Sequence, residues 1–331
     1  SPAPITYTYN GSIYTSYLGN YYDTYAGVDA DGDGVGDTAF TSGSYTDSYP
    51  LMAQSANYVE TVLPPTTWYV DDDGGADFTT IQAAVNAASA DDIIIVKDGT
   101  YTEHIVVDKG LTIASENGRD TTFVKAPDQE GYIFAINANG TTLDGFTATE
   151  AGFSLDGCAA IFLDGVNNCT IVNNNASSSW FGVRLISSDY NIIGNNIASN
   201  NKRWGIDLEG SHYNSIYGNT ADSNSQDDGI GLTSSHNNVV TDNYAASNKK
   251  AGILLSYSSN NVLDNNTVDS NTVYGLRLQH ASSNTITNNT ASHTSYGIIV
   301  EFSQDNEIYL NNFMDNTDDV YAALGDANTW N

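Results

Sequence analysis

Basic side chains are scarce: 10 Lys and Arg stand against 40 Asp and Glu in 331 residues, a formal charge of −30. A phosphate backbone would be repelled by that charge, so nucleic acid is excluded as a partner and anionic membrane surfaces are disfavoured. Long apolar runs are missing as well. The longest purely aliphatic one, Ile93–Val96, has four residues, far short of the roughly 20 that a spanning helix needs, so no membrane insertion is expected. Glutamate is rare beside aspartate, 8 against 32, and short carboxylates suit turns and calcium loops better than helix faces. Little helix is expected. The chain opens at Ser1 with no initiator Met and no charged-then-apolar leader, which reads as a mature secreted chain. Cysteine occurs twice, at Cys158 and Cys169, and an even count in a secreted chain predicts a disulfide, within the chain or between chains. What is present suffices for a large folded body: 40% hydrophobic residues, 11% aromatics and 22 Tyr.

The strongest positive signal is self-similarity. In the pattern Asn-x-Ile-x-x-Asn, apolar anchors fall at Ile171, Ile193, Ile216, Val240, Leu263, Ile286 and Ile308, spaced 22 to 24 residues apart. An Asn three positions later recurs in register at Asn174, Asn196, Asn219, Asn243, Asn266, Asn289 and Asn311. A Gly follows in each unit, from Gly182 to Gly297, and opens an apolar-x-apolar strand such as VRL, IDL or IGL. Two short strands per unit, with Asn and Gly at the corners, describe one coil of a parallel β-helix and leave no room for a helix per repeat. Residues one and three after each Gly point inward and stack as columns. Stacked Asn amides can hydrogen-bond from coil to coil as a ladder, and 29 of the 38 Asn lie between residues 167 and 316. The Asn are read as architecture.

Upstream, residues 68–118 contain one convincing helix, over about residues 80–89, with Thr79 or Thr80 as its cap and Ile81, Ala84, Val85 and Ala88 on one face. This block resembles the N-terminal cap of the pectin-lyase-like superfamily, in which a DFTTIQAA-like helix precedes a buried strand and a G-T-Y-x-E turn. From Trp68 onward the chain resembles the NosD-like group of right-handed parallel β-helix proteins, common among secreted surface proteins of methanogenic archaea. The resemblance implies the fold and an extracellular, cell-surface location; the same scaffold carries enzymes, adhesins and inert surface proteins, so it does not imply an activity.

The organisation expected is therefore residues 1–66 as a Tyr-, Gly- and Asp-rich extension, 67–120 as cap and first coils, and 121–331 as coils. Residues 17–52 also resemble this group, but there their G-N-Y-x-D-Y, D-x-D-G-D-G and Y-P-L elements follow the β-helix. Here they precede it. Chain end and chain start thus read as two sides of one seam: a unit of a tandem array, or a subunit whose first residues complete a neighbour's last coil. Both imply head-to-tail association with copies of itself. The alternative is that residues 1–66 fold back onto their own helix.

Asp29, Asp31, Asp33 and Asp37 stand at positions 1, 3, 5 and 9 of a loop with Gly34 at 6 and the Val35 carbonyl at 7. That is the oxygen spacing of a calcium loop, so Ca2+ is the expected cofactor. Position 12 is Phe40, so the site is completed by a carboxylate from elsewhere, with Asp23 and Asp47 as candidates, or binds weakly. Gln226, Asp227, Asp228 and Gly229 superficially resemble the paired-Asp element of polygalacturonases, but the G-H-G and R-I-K elements of that family occur nowhere. No catalytic set is complete and no enzyme is expected. Arg184 and Asp207 fall one coil apart at outward positions, as a surface ion pair would; with Trp204, Asp227 and Asp228 they form the alternative, a carbohydrate-binding or polysaccharide-cleaving surface. The residue before each Gly gives an interrupted aromatic column, Phe181, Trp204, Tyr274 and Tyr296, better suited to subunit contact. His212 and His236 stand one coil apart, with no other His or Met in register for copper. Sequons at Asn10, Asn139, Asn168, Asn175, Asn265 and Asn288 permit glycosylation. The reading is a secreted, non-catalytic β-helix acting as a structural subunit of a surface layer, sheath or filament.

Overall fold

The computed structural model describes residues 1–61, 63–128, 131–152, 158–323 and 327–330. It divides into two units, Ser1–Pro65 and Thr66–Asn331. The first is built on the hairpin of Ile5–Tyr9 with Ser12–Ser16, flanked by Val59–Glu60. Its buried core is small, Tyr7, Val35 and Leu51. Tyrosine rings supply much of the remaining packing: Tyr9 stacks on Tyr58 and Tyr17 on Tyr49, each pair with centroids 4.8 Å apart.

The second unit is a right-handed parallel β-helix. Its longest sheet has twelve strands, from Thr67–Val70 to Thr329–Trp330, and carries the apolar anchors. Ile171, Ile193, Ile216, Val240, Leu263, Ile286 and Ile308 lie directly above one another. A ten-stranded sheet, from Ile105–Val107 to Asp318–Ala323, carries the strands opened by Gly. Its inward pairs, Val183 with Leu185 through Leu276 with Leu278, are fully buried. Each such side chain stabilises the fold by roughly 1.5–3 kcal/mol. The coil has a third face that two strands per repeat do not account for. It pairs Gly99–Thr102, Thr122–Lys125 and Thr147–Thr149, continues as single bridges through Asn175, Ile197 and Thr220, and resumes as four strands from Tyr244–Ala246 to Asn312–Met314. These strands have only three or four residues, as at Thr267–Asp269 with Val268 buried between two half-buried neighbours, too little alternation to stand out in the sequence.

The repeated Gly serves close approach. A Cβ on Gly182 would lie 2.4 Å from the Gly205 carbonyl oxygen and 2.7 Å from that of Ala176, so any side chain there pushes the wall apart.

The cap helix, α1, spans Ile81–Ala87 and buries Ile81, Ala84 and Val85. Thr80 is its N-cap, accepting from the Ala83 amide. The Glu103 carboxylate, from the G-T-Y-x-E turn, accepts from the amides of Ile81 and Gln82 at 2.8 and 2.9 Å. At the other end the Lys109 ammonium donates to the carbonyls of Val85, Asn86 and Ala88. Both helix ends are therefore closed by charges of the sign that the helix dipole favours.

Corners are built by a residue in left-handed backbone followed by one whose side chain points inward. Asn173, Asn195, Asn265 and Asn288 take the first role, all with φ between 54° and 57°. Asn174, Asn196, Asn266 and Asn289 take the second. At Asn219 the side-chain oxygen accepts from the Asn196 amide and its Nδ2 donates to the Ile193 carbonyl and to Asn243 Oδ1, all within 3.1 Å. The second Asn of the sequence motif builds this ladder, the first Asn of the same motif builds another, and the structure adds two more inward ones. Cys169, Asn191, Asn214 and Asn238 begin the second, Ser179, Asn201 and Asn224 the third, and Ser188, Ser211 and Ser235 a hydroxyl version.

The predicted disulfide is not formed: Cys158 and Cys169 are both free and buried. Half a coil separates them, so Cys158 sits beside Ala159–Asp164 on the ten-stranded sheet and Cys169 beside Thr170–Val172 on the anchor sheet. Burial equally removes both from cross-linking between chains. Cys169 instead heads the second ladder, its amide donating to Asn191 Oδ1 at 2.8 Å.

Candidate functional site

The outward position two after each Gly runs Arg184, Asp207, Gly231, Leu254, Arg277 and Ile299, in register on the ten-stranded sheet. Arg184 and Asp207 are not the surface pair expected: their side chains are 11% and 5% exposed, with Arg184 Nε 3.1 Å from Asp207 Oδ2. Arg184 Nη2 also reaches Glu209 Oε2 at 3.1 Å. Aromatic rings cover the pair. The Arg184 guanidinium lies 4.4 Å from the Phe181 centroid, and Phe181 stacks parallel to Trp204 at 5.7 Å. Arg203 lies over Trp204 at 4.6 Å. Around them Ala159, Phe162 and Phe181 form a second apolar cluster, outside the solenoid core and packed by Tyr132, Trp180, Ile186 and Trp204.

Burial pushes the Asp207 carboxyl up to about 7; the attraction of Arg184 opposes this and the Glu209 charge adds to it. Burial likewise raises Asp228, against the Ala251 amide at 2.6 Å and the Trp204 indole N–H at 3.0 Å, which both donate to its carboxylate. Asp227 lies between Arg203 and Lys250, ion-paired with both. One coil on from Asp207, the missing side chain of Gly231 leaves space that Trp204 enters: a Cβ there would lie 3.0 Å from Trp204 Nε1. The result is an open cleft of about 340 Å³ lined by Phe181, Arg184, Trp204, Asp207, Glu209 and Thr233, with Arg203 at its edge. Arg184, Asp207 and Trp204 are thus brought together, and Asp227 and Asp228 support the wall behind. Arg203, Glu209 and Lys250 escape a motif search; their one signal is the coil period, which sets Arg203 and Lys250 24 and 23 residues from Asp227.

In the first unit, Asp29, Asp31 and Asp33 gather with ligand atoms within 4.8 Å of one another, a group that could hold a metal ion. Asp29 accepts from the amides of Gly32 and Gly34, and Asp37 from that of Ala30, so the loop is wound around its own carboxylates. Burial raises Asp33, with the charges of Asp31, Asp29 and Asp37 adding to the shift. A cavity of about 230 Å³ is lined by Asp31, Asp33, Val35 and Asp37. Asp47 does not complete this set. Its carboxylate accepts from the amides of Asn20 and Tyr49 and the hydroxyl of Tyr22, a turn of its own, and Asp23 lies outside the cluster.

His212 and His236 stack with centroids 5.2 Å apart. Each Nδ1 accepts a backbone amide one coil on, from His236 and Ser259 respectively, both at 3.0 Å. They continue a surface ladder that begins at Asn139, Asn167 and Asp189. Their register is structural.

A family profile described as "Periplasmic copper-binding protein (NosD)" matches residues 85–250 and 205–331. A cell surface glycoprotein of Methanothermus fervidus is 36% identical over 105 residues, 31% of this chain and 16% of that protein's length. This chain therefore spans only a small part of that relative. Among solved structures, pectate lyase Pel9A superposes with a TM-score of 0.51 at 16% identity, over 81% of this chain and 80% of the lyase. The catalytic domain of a GH87 alpha-1,3-glucanase variant in complex with tetrasaccharides superposes with a TM-score of 0.54 at 17% identity, over 99% and 83%. At such identities the likeness is one of fold.

Proposed function

The chain belongs to the NosD family, and from that premise we propose that it is a non-catalytic structural subunit of an extracellular cell-surface assembly, a surface layer, sheath or filament, joined head to tail. One observation carries the reading. Every contact between coils is heterologous, the upper edge of one turn against the lower edge of the next, through three parallel faces and the side-chain ladders. Contacts of that kind add units by translation and do not close a ring. Surface location draws on the local likeness to a cell surface glycoprotein.

In this reading Ca2+ occupies the loop of residues 29–37, held by the carboxylates of Asp29, Asp31, Asp33 and Asp37 and the Val35 carbonyl. Burial is the main cause of the rise at Asp33, and a divalent cation there would offset it together with the smaller repulsion from Asp31, Asp29 and Asp37. Electron microscopy of the purified protein, first with calcium and then with chelator, tests the proposal. Filaments or sheets that loosen on chelation are expected; monomers under both conditions would overturn head-to-tail assembly.

A further inference from the structure

The outer cleft at Asp207 goes beyond what a passive wall needs, and a second Arg in the same column shows by how much. Arg277 lies 4.9 Å from the ring centroid of Tyr274 and pairs with Glu301 one coil on at 3.2 Å, the same arrangement as Arg184 with Phe181 and Glu209. That arrangement is sufficient as structure. The two sites differ in the next outward residue: Arg277 has Ile299 beside it, and Arg184 has Asp207. An Ile seals the wall at no electrostatic cost, whereas the buried Asp207 carboxylate has to be taken out of water. The following position is Gly231 at one site and Tyr321 at the other, so the first lacks the side chain that the second carries.

We propose that this cleft is a binding site for a neutral hexose glycan, with the half-buried Trp204 beside a sugar ring, the exposed Glu209 carboxylate and the Thr233 hydroxyl meeting its hydroxyl groups, and the buried Asp207 carboxylate positioning Arg184 beneath them. The size is at the lower end of ligand pockets, which run from roughly 300 Å³ upward. Aromatic rings beside paired charges suit a polyhydroxylated ring, which is apolar on its faces and a hydrogen-bond donor and acceptor around its rim. Neutral rather than acidic sugar follows from the charges. Arg184 already faces Asp207 and Glu209, and Arg203 faces Asp227; the chain as a whole carries −30, so a uronate would enter against repulsion. The site makes no use of the acidic loop or of contacts between copies, so it stands independently of the assembly reading.

Calorimetric titration of the full chain with neutral glucose, galactose and mannose hexasaccharides, and with oligogalacturonate, tests the assignment. At least one neutral hexasaccharide is expected to bind, with oligogalacturonate about tenfold weaker or more, a difference of about 1.4 kcal/mol. Asp207→Asn and Trp204→Ala should each weaken binding by about tenfold or more, a loss of at least about 1.4 kcal/mol, while Arg277→Ala leaves it within about twofold. Asp207→Asn preserves the shape of the side chain, so its effect is separable from misfolding. Failure of every neutral sugar to bind, preference for the uronate, or equal binding by Asp207→Asn would overturn the proposal.

Discussion

In the coils from Thr170 onward, polar side chains point along the axis and bond to the same position one turn on, as Asn196 does with Asn219 and Asn219 with Asn243. In residues 1–65 each polar contact is particular to its place: the Tyr7 hydroxyl donates to the Asp33 carbonyl, Tyr58 to that of Gly34, and Asp47 binds the turn at Asn20. The coils share one continuous apolar core, whereas the first unit buries Tyr7, Val35 and Leu51 and little else. Repetition lets a coil satisfy its neighbour's backbone with no ion, and stability then accumulates from one turn to the next. A small core with a wound acidic loop has no such reserve, and there the proposed calcium would have something to add.

The sharpest way to break the coils is steric. Gly182→Ala places a methyl within 2.4 Å of the Gly205 carbonyl oxygen; a loss of about 3 kcal/mol or more is expected in denaturant unfolding, with the folded state absent at the extreme. Removing one rung costs somewhat less. Asn219→Ala leaves the Asn196 amide without its partner, worth about 1–3 kcal/mol when buried and unpaired, and removes the side-chain bond to the Ile193 carbonyl. The hydrogen-bonded turn of the first unit offers the matching test: Tyr22→Phe removes the hydroxyl's bonds to Tyr45 and Asp47 and should lower the unfolding midpoint less than either coil substitution.

A smaller effect appears in pH. Asp207 has a folded-state value of about 7, above its ordinary 3.8, so it contributes stability that is full below pH 3.8 and is lost as pH rises through about 7. Asp92 and Asp269 are lowered despite burial: Trp68 and the amides of Ser89 and Thr66 hold Asp92, and Ser292 and His293 hold Asp269. They act in the opposite sense, losing stability as pH falls. The difference between the native chain and Asp207→Asn isolates the first contribution: melting temperatures of the two should diverge between pH 4 and pH 7, the native chain declining relative to the variant.

The anchors, the Gly column and the two Asn of the repeat motif were legible because a 22 to 24 residue period displays them at fixed spacing. Thr80 and the buried face of the cap helix were legible from local spacing alone. Its two long-range clamps, Glu103 and Lys109, were not, because their partners lie 21 to 24 residues away. The third face escaped because its strands have three or four residues and give way to single bridges midway, too short for alternation to show. The hydroxyl ladder escaped because Ser is common in any turn. At the cleft, Arg184 and Asp207 were placed in register by counting, but their burial was not. Sequence alternation assigns outward positions to solvent, and here rings from Phe181 and Trp204 close over them.

Hydrogen exchange measured residue by residue, with calcium and after chelation, tests the contrast between the two units most directly. Calcium should slow exchange at the amides of Gly32, Gly34 and Val35, whose acceptors are the loop carboxylates, while the ladder amides of Asn196, Asn219 and Asn243 stay equally slow in both conditions. An unchanged loop, or ladder amides that quicken together with it on chelation, would contradict the account.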